Sequence, residues 1–405
     1  MSTNSEAASL YLAVLPSSQG LVASLTDLHM LARMESIGTP RDGLRNLQRQ
    51  CATLWRQAPT DPHQLVDLGA QVMAQLLPPG ISAVLRTAGP SLLTIQVDAA
   101  LLWVPWELAW DGERFLGEKF RLCRRIVDAG GASGTVQRRG PQRGALKILL
   151  IAGGAADPQE FAFAPWLSAR LRSMPGLIVS AVRATNLPRD ELLRLIAAND
   201  VVHYIGPVDG RVSSNGTATW WREAEPLDLA SIAATSSPPM LLMSQNVASS
   251  DDFRSDANHE FAKSACALGL NALCCEPGEV AHGQVFMLEF FASLVRGATL
   301  AEAARTSRGK LLAESGPTAL LQLRPALYGD AGAVLKERRT PADDNLRQVT
   351  IMSIDLDEST RLLALLGAEK YSDLLAQYHR RCTEILDSFG GAPDDFQGDD
   401  GAMCY

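Results

Sequence analysis

No stretch of the chain holds 18 consecutive uncharged apolar residues, so no segment reads as a membrane-spanning helix. The first 30 residues lack a basic start followed by an apolar run, and no secretory signal is expected. The seven cysteines (Cys51, Cys123, Cys266, Cys274, Cys275, Cys382 and Cys404) are scattered, form no CxxC pair and are odd in number. That suits reduced thiols in a cytoplasm better than a disulfide framework. The adjacent Cys274 and Cys275, in NALCCEP, read as small core residues of a buried strand rather than metal ligands. Positive charge is also short. A net charge of −8 argues against a protein that coats nucleic acid, and the basic stretch QRRGPQRGALK is too brief to reverse it.

What is present is ordinary globular material: 405 residues, 46% apolar and 20% charged. That length suggests two or three domains with ample buried cores. QLVDLGAQVMAQLL has helical spacing, while SLLTIQVD and LLWVPWELAW read as strands or strand-like packing segments. Trp103, Trp106 and Trp110 make the second of these a packing corner. Residues 128–145 are rich in Gly and Arg without periodicity and read as a linker.

Beyond the linker, apolar strands alternate with helices. LKILLIAG, LIVSAVR, NDVVHYIG, PPMLLMSQN and NALCCEP are the strands. FAPWLSARLRSM, PRDELLRLIAA and ANHEFAKSACALG are helices, and VFMLEFFASLVRG and LAEAARTSRGKLLAE follow as two more. Such alternation predicts a mostly parallel α/β sheet covered by helices on both faces. Reactive positions in such sheets lie just past the carboxyl ends of the strands, here after YIG and after LLMS. A polar linker at 337–347 precedes a new strand, VTIMSIDL.

Residues from about 60 to 336 resemble the CHAT family of caspase-like domains, on VPWELAWDGERFLGEKF, VVHYIG, the five-strand order and the closing ALYGD. The resemblance implies 1–127 as an N-terminal helical/β part and 146–336 as a caspase-like core. Active relatives carry a general-base histidine after the third strand and a nucleophilic cysteine after the fourth. Here those positions hold Pro207 and Asn246. A proline has no titratable group and an amide is a very poor nucleophile, whereas this chemistry needs a thiolate and a base. His203 lies four residues before the base position, roughly 13 Å back along an extended strand, and reads as a core histidine. Ser244, Ser249 and Ser250 read as ordinary hydroxyls without a base. The expectation is a pseudo-peptidase whose cleft still accepts a peptide or protein ligand.

The last residues, 348–405, run from VTIMSIDLDEST through an amphipathic helix (Tyr371, Leu374, Leu375, Tyr378, Cys382, Ile385, Leu386, Phe389) to FQGDDGAMCY, a hairpin pattern. This order is similar to the start of class III nucleotide cyclase domains, with a truncated ferredoxin-like α+β fold. The resemblance implies Asp355 and Asp399 as ligands of Mg²⁺ or Mn²⁺, with the Leu356 carbonyl as a further oxygen. Ser359 and Thr360 sit at a helix start suited to the triphosphate of ATP or GTP. Two divalent ions would acidify the ribose 3′-hydroxyl and neutralise the phosphates. Asp395 stands where purine-selecting relatives carry lysine, which leaves ATP against GTP open. Relatives place later catalytic residues beyond the point reached at Tyr405 and build their sites between two domains. The segment is therefore expected to be truncated and inactive alone, and to dimerise when complete.

Three readings stay open from the residues alone. The first is a caspase-like sensor controlling a cyclase. The second is a CHAT-family cysteine peptidase with unrecognised residues. The third is a catalytically inert peptide-binding scaffold.

Overall fold

The computed structural model describes residues 9–17, 20–27, 33–37, 41–57, 61–127, 140–153, 158–184, 187–206, 209–212, 218–219, 227–245, 256–276, 279–337, 362, 365–388, 393–397 and 400–404. The chain divides into two compact units, 1–338 and 339–405.

The first unit begins with the strands β1 (Ser9–Ser17), β2 (Gly20–Asp27) and β3 (Arg33–Ile37) and the helices α1 (Arg41–Gln57), α2 (Pro62–Leu76) and α3 (Pro79–Thr87). Then come β4 (Leu92–Asp98), the short helix α4 (Leu116–Lys119) and β5 (Arg121–Val127). The second half runs β6 (Leu146–Ala152), α5 (Pro158–Arg172), β7 (Leu177–Arg183), α6 (Arg189–Ala197) and β8 (Val201–Ile205). A two-stranded ribbon of β9 (Asp209–Val212) and β10 (Ala218–Thr219) intervenes before α7 (Leu229–Ala233). It is followed by β11 (Leu241–Gln245), α8 (Asp256–Ala267), β12 (Ala272–Cys275), α9 (Val280–Val295), α10 (Leu300–Leu323) and β13 (Ala326–Tyr328).

Eleven of these strands form one sheet in the order β3-β2-β1-β4-β5-β13-β12-β11-β8-β6-β7. Its neighbours run parallel except at β3–β2, β2–β1 and β13–β12. This is the mixed α/β, mostly parallel architecture that the alternating pattern predicts. β8, β11 and β12 are buried at every residue, as strands covered on both faces must be. β1 and β2 alternate buried and less buried positions, with Leu12, Val14 and Ala23 fully inside, which marks a sheet end covered on one face. In one group of helices α5 packs on α9 and α9 on α10; in the other, α6 meets α7 and α7 meets α8.

Local chemistry sets the element ends. Asp61 caps α2 by accepting the His63 amide at 3.0 Å, and Pro62 supplies a first helical residue whose missing N–H costs nothing. Thr299 accepts the Glu302 amide at 3.2 Å to start α10. That helix is broken at Gly316, whose φ of +77° followed by Pro317 interrupts the ladder. Trp103 and Trp106 are buried as the packing-corner reading requires.

The second unit contains α11 (Ala368–Ser388) and the hairpin β14 (Pro393–Gln397) and β15 (Asp400–Cys404). The helix packs on both hairpin strands. Tyr371 is buried and Leu374, Leu375, Tyr378 and Cys382 are half-buried, so the amphipathic stripe faces inward over most of its length; Ile385 departs from it and is exposed. The VTIMSIDL segment lies outside the described residues.

Candidate functional site

The first candidate is the carboxyl end of the parallel strands, where β6 and β8 diverge in the connection order. Backbone bonds knit three strand ends together. Gly153 N donates to Ile205 O at 2.8 Å, and Gly206 N donates to Gln245 O at 3.1 Å. Small residues are required here. A Cβ on Gly206 would meet Tyr204 Oη at 2.8 Å and Gly153 Cα at 2.9 Å, and one on Gly153 would strike the same tyrosine hydroxyl.

His203 sits on β8 in register with Met243 on one side and Leu150 on the other. It is fully buried, with its ring 6.4 Å from that of Phe291 on α9. Burial drives its pKa down to about 3. The Gln245 amide lies near enough to oppose this weakly, but neither imidazole nitrogen makes a well-formed hydrogen bond. It is therefore a neutral core side chain with no route to a substrate. Ser244, on β11, is also buried; its hydroxyl lies 3.5 Å from Asn258 Oδ1 on α8. The Asn258 amide is committed to Cys275 O at 3.2 Å.

None of the five cysteines of this unit is an activated thiol. Burial pushes Cys51 and Cys266 up to about 12 and raises Cys123, Cys274 and Cys275 further. A thiolate nucleophile needs the opposite shift. Cys274 and Cys275 are buried strand residues, as expected from NALCCEP.

Pro207 and Asn246, the positions replaced in the peptidase resemblance, lie outside the described residues, as do Ser249 and Ser250. So do Asp355, Leu356, Ser359, Thr360 and Asp399. No group of three or more His, Cys, Asp or Glu side chains suited to a metal occurs among the described residues. Nor is any described helix long and apolar enough to cross a membrane.

Sequence reasoning missed a second cluster, which explains VPWEL. Glu107, the acid of that motif, is buried against two arginines. Arg124 on β5 grips it with two bonds, Nε to Oε1 at 3.1 Å and Nη2 to Oε2, while Arg308 on α10 approaches Oε1 at 3.7 Å. Burial works to raise the Glu107 pKa, but Arg124 and Arg308 outweigh it and hold the group below the usual carboxylate range. Arg124 Nη1 also donates to Leu102 O, and Arg308 donates twice to Pro325 O. Beside them a cavity of about 20 Å³, room for one water, is lined by Glu107, Arg124, His259, Glu276, Arg324 and Tyr328, among others. The cluster sits at the seam of the sheet, where β5 and β13 pair through Arg124 and Tyr328 alone. The DGERFL turn is likewise structural. Asp111 accepts the Glu113 and Arg114 amides at 2.8 Å and Lys119 Nζ at 2.6 Å. Only the burial of a motif acid could have hinted at this, and its arginine partners are 17 and 201 residues away in the chain.

No described protein family matches the sequence, and no curated protein matches it. Among solved structures, the chain is similar to separase of Saccharomyces cerevisiae, from a separase–securin complex. Identity is 15% and the TM-score 0.37, over 59% of this chain and 15% of that one. The chain thus spans a small part of that protein, and an overlap this loose assigns nothing to it; the α/β architecture is read from its own strands.

Proposed function

We propose that residues 9–337 form a caspase-like module that has lost hydrolysis and regulates a class III nucleotide cyclase begun by residues 348–405. The observation that carries the first half is the state of the nucleophile and base candidates. His203 is neutral and sealed in the core, and every thiol of the unit is pushed away from ionisation. With Pro207 and Asn246 at the family's catalytic positions, a cysteine peptidase has neither of its working groups.

The second half rests on the resemblance of the C-terminal segment. The antiparallel pairing of β14 with β15, with Gln397 opposite Asp400, is in keeping with it. In this reading Asp355 and Asp399 hold Mg²⁺ or Mn²⁺, with the Leu356 carbonyl, and Ser359 and Thr360 meet the triphosphate. The ions supply acidification of the 3′-hydroxyl and neutralisation of the phosphates. The complete site would form between two copies. A peptide or protein bound by the caspase-like module would be the signal.

The test is conversion of ATP and GTP with Mg²⁺ or Mn²⁺ by the natural full-length polypeptide. Asp355→Ala should lower turnover by at least a hundredfold, given that it removes a metal ligand. Turnover undiminished by that change would remove the metal assignment.

A further inference from the structure

We draw no further inference here: the strongest candidate, the small cavity at the β5–β13 seam, belongs to the buried ion-pair cluster already described, in which Arg124 and Arg308 are committed to Glu107 and Arg324 faces Glu276 at 3.9 Å.

Discussion

His203 carries a neutral imidazole into the core, and that has a cost that depends on pH. Its folded pKa of about 3 lies below the ordinary 6.5. Below about pH 6.5 the unfolded chain takes up a proton that the folded chain refuses. Stability from this residue is therefore intact above pH 6.5 and falls as the pH drops toward 3, approaching ~1.4 kcal/mol per unit. Urea melts between pH 6 and pH 4 should show His203→Leu reducing the slope by that amount; an unchanged slope would mean the ring is protonated or exposed. Glu107 is buried in its charged form instead, and with its pKa held down by Arg124 and Arg308 it too loses its contribution as the pH falls. Glu107→Gln strands two buried guanidinium groups and should cost about 3–5 kcal/mol in urea unfolding at neutral pH. A loss below ~1 kcal/mol would show that another acid takes its place. Neither role was fully legible in the sequence. His203 reads as a core histidine because it sits inside an apolar run, VVHYIG. Glu107 reads only as part of a family motif, since nothing local announces that Arg124 and Arg308 will close on it.

Among elements, the buried strands were the most legible. LKILLIAG and VVHYIG are largely apolar runs because strands covered on both faces have little polar side to show. The first three strands escaped notice. SLYLAVLPS alternates too weakly in sequence, because its outward positions, exposed Tyr11 and half-buried Ala13 and Leu15, are apolar like Leu10, Leu12 and Val14 between them, and its partner β4 lies far along the chain. The β5–β13 seam was also invisible, since one residue pair separated by two hundred positions leaves no periodic trace. Where three strand ends meet, space is the governing quantity. Gly206→Ala should destabilise by about 1–3 kcal/mol through its clash with Tyr204 Oη and Gly153 Cα. The same substitution in a Tyr204→Phe background should cost less, because the hydroxyl contact is gone while those to Tyr204 Cζ and Gly153 Cα remain. Equal costs in both backgrounds, by chemical denaturation, would locate the strain elsewhere.

At the scale of the whole molecule, the two compact units carry different halves of the functional account. The first has its own eleven-stranded sheet and should fold by itself: a chain ending at Arg338 should melt cooperatively, with the temperature of the first unit unchanged. A large drop on deletion would show that the second unit supports the first. The candidate metal and nucleotide residues Asp355, Leu356, Ser359, Thr360 and Asp399 belong to the second unit, and their reading comes from motif order, a signal that sequence carries well and packing does not. The claim on which the account turns is that the first unit performs no peptide hydrolysis. The most direct measurement exposes the intact chain to a mixed peptide library from pH 5 to pH 9 and counts new termini by mass spectrometry. The account predicts no cleavage above the protein-free rate at any pH. Cleavage that disappears in His203→Ala, Ser244→Ala or Asn246→Ala would contradict it.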